Sequence, residues 1–118
     1  MGYFGSLSET SGNPYWSLQY NTTQNDLGSA SVIKTSVPMV VGTPALMVMS
    51  ITFGSTNTVN LYVNPSSLGG SAPSTPSATY STSSSLAFQS LAYYAGNGTG
   101  ESSLGDIRVG TTYAAVTP

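Results

Sequence analysis

The chain has 118 residues with no shift in composition along it, which predicts one domain, residues 1–118, large enough to bury a core without staples. It contains neither cysteine nor histidine, so a disulfide framework, a thiolate zinc site and the commonest general base are all excluded. Glu9, Asp26, Glu101, Asp106, Lys34 and Arg108 make charged residues 5% of the chain, against roughly 25% in ordinary domains. Two basic side chains cannot neutralise a phosphate backbone, so nucleic acid is not an expected partner, nor is an electrostatic membrane contact.

Serine, threonine, asparagine and glycine take the place of charge, supplemented by eight tyrosines. That is the palette of secreted β-proteins, and it lacks the edge lysines that normally keep strands from pairing with other chains. No run of about 20 apolar residues occurs, so no membrane span is expected. The opening "MGYFGSLSETSG" has neither a basic n-region nor an apolar h-region, so an extracellular or cell-surface location is expected without a signal peptide in this sequence.

Helical periodicity is absent, while period-two patterns recur from one end to the other. "YWSLQYN" (15–21) places Trp16, Leu18 and Tyr20 on one strand face, where core packing is their expected role. "SASVIKTS" (29–36) reads as the next strand. "ALMVMSITF" (45–53) is apolar on both faces before it alternates, which predicts a central strand covered on both sides. "FGSTNT" (53–58) is a hairpin loop leading into "TVNLYVN" (58–64), with Val59, Leu61 and Val63 inward and Thr58, Asn60, Tyr62 and Asn64 outward. "PSSLGGSAPSTPSA" (65–78) has too much proline, glycine and serine for a sheet interior and reads as an exposed loop, compatible with O-linked sugar. "ATYST" (78–82) and "LAFQSLAYYAG" (86–96) are further strands, and the chain closes with "DIRVG", its Ile107 and Val109 facing inward, and "TTYAAV". Strands of this length with regular turn signals predict an all-β fold, an antiparallel β-sandwich or jelly roll.

Catalytic chemistry finds little to work with. Glu101 and Asp106 are the nearest pair of carboxylates, but a Gly-Ser-rich turn separates them, so they do not form a glycosidase pair. A nucleophilic serine would have only Lys34 as its base, and no motif surrounds it. Asp106 and Arg108, two apart in a strand and so on the same side of it, are expected to form a structural ion pair, local or cross-strand. No enzyme and no cofactor are expected.

"NTTQND" (21–26) brings Asn21, Asn25 and Asp26 together as weak candidates for a Ca2+ site, although an Asx turn accounts for the same residues. Asn21 and Asn97 head N-glycosylation sequons, whereas Pro65 disqualifies Asn64. Tyr62, on the polar face of its strand, and the Tyr93–Tyr94 pair are candidates for contact with sugar or a protein partner.

"TVNLYVNP" and, some way downstream, "SLGDIRVGTTYAAVTP" resemble the C-terminal portion of laminin-G-like, concanavalin A-like jelly rolls of bacterial surface and secreted proteins. Thr58 to Pro65 match the family's T-V-x-L-[WY]-V-N-P strand. Ile107, Arg108, Val109, Gly110, Thr111, Tyr113, Val116 and Pro118 match its closing motif. The chain departs from it at Leu104, where the family has Phe, at Gly105 and Asp106, which replace an acidic pair, and at Ala115, where an acid is usual. The resemblance implies a sandwich that lacks some of the family's earlier strands and so exposes an apolar groove and unpaired edges. Either residues 1–36 rebuild that region, or strands from a neighbouring copy complete it. The expected function is therefore that of a non-enzymatic extracellular structural protein, a self-associating subunit of a surface assembly or filament. The rival is a carbohydrate-binding, lectin-like module that uses exposed tyrosines.

Overall fold

The computed structural model describes residues 3–8, 15–21, 31–87, 91 and 103–118, with only the backbone of 3–8 and 21. Their strands are β1 (Tyr3–Ser8), β2 (Tyr15–Asn21), β3 (Ser31–Pro38), β4 (Met47–Thr52), β5 (Asn57–Val63) and β6 (Ala78–Thr82), followed by a one-turn helix, α1 (Tyr113–Val116). They form two antiparallel three-stranded sheets, ordered β1-β2-β3 and β4-β5-β6. Each sheet is a meander of consecutive strands, and β6 of the second lies against β2 and β3 of the first. The architecture is all-β and sandwich-like.

Alternation sets the core. Leu18 of β2, Val59, Leu61 and Val63 of β5 and Ala78 of β6 form its buried centre, with Trp16, Ile33, Ile51 and Tyr80 packed around it. Between the sheets Tyr20 stacks on Tyr80, ring centroids 3.8 Å apart. The expected shared face of Trp16, Leu18 and Tyr20 is therefore the inner face of β2. A bulge between Tyr15 and Ser17 shifts the β2–β3 register. The buried Thr35 hydroxyl serves the irregularity, donating to the Trp16 carbonyl at 2.7 Å and accepting from the Val37 N–H at 3.1 Å.

A tight turn connects the sheets: the Thr43 N–H reaches the Val40 carbonyl at 3.0 Å, and Gly42 takes φ +78°, where a side chain would be strained. The β4–β5 hairpin falls where "FGSTNT" predicts it. Asn57 holds it, accepting from the Gly54 N–H at 3.1 Å and donating to the Ser84 carbonyl at 2.8 Å while itself buried.

Several expectations need correction. β1 at Tyr3–Ser8 has no clear sequence signature, because Gly5 and the serines around it weaken the apolar pattern. β4 is an edge strand of its sheet, not a central one, because β5 is its ladder neighbour among the described residues. "DIRVG" forms no strand, and Ile107 and Val109 do not face inward: they are 53% and 81% exposed, since no strand of the described fold lies beside them. "TTYAAV" is not a strand either. Thr112 caps a helical turn by accepting from the Ala115 N–H at 3.2 Å, and the two alanines favour that turn. The 86–96 strand falls largely outside the described residues, apart from residues 86, 87 and 91, which are not in a strand.

Candidate functional site

The β4–β6 sheet presents two unlike surfaces at its β4 end. The register Met47↔Val63, Met49↔Leu61 and Ile51↔Val59 places the odd-numbered β4 residues on the inner, apolar face. The other sheet, however, meets this one along β6, on the far side of β5. Ile51 still reaches the core, but Met49 is 37% and Phe53, just past the strand, 58% exposed. Met47 is 38% exposed. An apolar row thus overhangs the edge of the sandwich. No charged side chain occurs in the sequence between Lys34 and Glu101 to interrupt this surface.

The outer face is closed by the C-terminal segment. Val48 and Tyr62, paired across the ladder, are both buried there, and α1 lies against β4. The Tyr113 ring meets Tyr62 edge-on, centroids 5.7 Å apart. Its hydroxyl donates to the Ser67 carbonyl at 2.8 Å. Thr117, also buried, accepts from the Gly69 N–H at 2.9 Å and donates to the Tyr113 carbonyl at 3.0 Å. Gly110 lets the chain turn tightly into α1, because a Cβ there would stand 2.9 Å from that of Ala115. This strap secures the Pro/Gly/Ser-rich loop to the sheet. Burial first, and Tyr62 second, raise the Tyr113 pKa above the ordinary tyrosine value.

At the start of that loop Asn64 adopts φ +48°, a left-handed conformation that asparagine tolerates. Its N–H donates to the Leu46 carbonyl at 2.8 Å, and its Oδ1 accepts from the Leu46 N–H at 2.9 Å. Asn64 is thereby the clasp between the end of β5 and the approach to β4.

Tyr62 is consequently not the open platform that its place on the polar strand face suggests: it is only 6% exposed, covered by Tyr113. Sequence alternation alone could not reveal a cover arriving from the far end of the chain. The signal that was available is the Thr112 cap ahead of two alanines. Tyr93, Tyr94, Asn25, Asp26, Asn97 and Glu101 lie outside the described residues, and Asn21 is placed only as the last residue of β2, opposite Tyr3. Asp106 and Arg108 do approach, at 4.0 Å, but as exposed side chains of a segment that is not a strand. Lys34 faces Ser17 across the β2–β3 ladder, yet Ser17 is fully buried, which closes it to a substrate.

Among the described residues no group of three or more carboxylate, histidine or cysteine side chains could hold a metal ion. No helix among them is long and apolar enough to cross a membrane. No protein-family model matches the chain, and neither a curated protein nor a solved structure matches it.

Proposed function

We propose that this protein is a non-enzymatic, extracellular structural subunit, one in which neighbouring copies complete each other's sheets to build a surface assembly or filament. The observation that carries this reading is the overhanging apolar row at the β4 edge, with Met49 and Phe53 open to solvent and no charge nearby in sequence to discourage pairing. Apolar surface of this kind gains roughly 25 cal/mol for each Å² covered, and a strand from another copy can cover it while extending the ladder. β1 to β3 give the chain a first sheet of its own, so the place left for a neighbour's strand is the β4 side of the second sheet. The carbohydrate-binding alternative is weaker, because Tyr62, one of its candidate contacts, is buried.

Sedimentation velocity and electron microscopy of the full chain, over a range of concentrations, test the proposal. Ordered fibres or defined oligomers are expected, and Met49→Lys should reduce them while the far-ultraviolet circular dichroism stays that of a β-protein. A chain that remains monodisperse and monomeric at every concentration would overturn it.

A further inference from the structure

The segment between residue 103 and Gly110 belongs to no helix, strand or turn and is exposed throughout, and among the described residues no backbone hydrogen bond involves it. Leu104, Ile107 and Val109 are all exposed there. Its two charges offset each other, Arg108 lying 4.0 Å from Asp106 in an exposed pair worth little by itself. In sequence, residues 105–109 have the alternation of a strand, and in this fold no strand lies beside them.

The order of its residues specifies that neighbour. Suppose two copies lie antiparallel with Ile107 facing itself across a two-fold axis. Asp106 then stands directly opposite Arg108 of the partner subunit, and Arg108 opposite Asp106 of the partner subunit. On the other strand face Val109 stands opposite Gly105 of the partner subunit, so Val109 and Ile107 from both copies form one apolar strip with glycine making room beside it. Opposite charges and apolar side chains are the cross-strand pairs that stabilise an antiparallel ladder. The segment is self-complementary in charge and in size, as a two-fold interface requires. Pairing satisfies exposed backbone donors and acceptors and covers side chains that this fold leaves in water. The strap beyond Gly110 need not move.

We infer that residues 104–110 are a homodimerisation strand, pairing antiparallel about Ile107 with the same segment of a second copy. This rests on the reading that copies associate, and it names one of the contacts through which they do so.

Cysteine substitution tests it cleanly, since the chain has no cysteine. Residues opposite each other in an antiparallel ladder have Cα atoms about 4.5–5.5 Å apart, within disulfide reach. Under mild oxidation Ile107→Cys should give a covalent dimer. Val109→Cys should not, although Val109 is the more exposed of the two. Asp106→Arg and Arg108→Asp, each alone, place like charges opposite one another and should weaken dimerisation by about tenfold. An equimolar mixture of these two variants should recover it, because each then meets its opposite.

Equal cross-linking at both cysteines, or no rescue in the mixture, would overturn the self-pairing register. If Ile107→Cys stays uncross-linked while the wild-type chain still forms larger species, this inference falls and the assembly proposal stands. If the wild-type chain is a monomer throughout, both fall.

Discussion

β5 and the segment 104–110 carry the same kind of pattern and meet opposite fates. In β5, Val59, Leu61 and Val63 alternate with Thr58, Asn60 and Tyr62, and the strand is the buried middle of its sheet. In the segment, Ile107 and Val109 alternate with Asp106 and Arg108, yet the chain stays in solvent without a ladder. Alternation states that a stretch is able to be a strand. Whether it becomes one depends on a neighbour arriving at ladder distance, and β5 has a hairpin on one side and β6 on the other to supply neighbours.

The sharpest way to break this comparison is a matched pair of truncations. Leu61→Ala empties a fully packed site and should cost about 2–5 kcal/mol in chemical denaturation. Ile107→Ala, in the dilute monomer, should shift the same curve by no more than about 0.5 kcal/mol. Equal losses at the two positions would mean that the segment is packed after all.

Next in size is Asn57→Ala. It removes the hydrogen bonds to the Gly54 N–H and the Ser84 carbonyl at the start of β5, a loss of about 1–3 kcal/mol by the same measurement, centred on the β4–β5 hairpin. Amide exchange should quicken at Gly54 before it does at Leu61. Uniform acceleration across the sheet would instead make the hairpin and the core one cooperative unit.

Tyr113→Phe removes one hydrogen bond from the strap and keeps the ring over Tyr62, so about 0.5–1.5 kcal/mol is expected. Its pH dependence sharpens the point. A phenol whose folded pKa is raised favours the folded state up to the ordinary tyrosine value, and loses that contribution as pH climbs through the raised one. An ionised Tyr113 also has no proton to donate to the Ser67 carbonyl. Wild type should therefore lose stability in that alkaline window and the phenylalanine variant lose less, as measured by denaturation across the pH range. Identical profiles would place the alkaline sensitivity elsewhere. The smallest effect belongs to Arg108→Ala, at most a few tenths of a kcal/mol in the monomer, because the Asp106 pair is exposed.

What the sequence determined by itself is the local part of this molecule. The alternation at 15–21, 58–64 and 78–82, and the proline and glycine of the loop that follows β5, follow from side-chain period and backbone chemistry, and the three strands are found within a residue of those bounds. Tertiary structure decided what alternation leaves open. Among the described residues it put β4 at the edge of its sheet with an apolar overhang although both its faces are apolar in sequence, and it buried Tyr62 beneath a ring from far along the chain. It also left Ile107 and Val109 in water. The physical reason is the same in each case: a strand's period is written in its own residues, whereas its hydrogen-bonded neighbour and the cover on each face come from chain remote in sequence, and only packing brings them together.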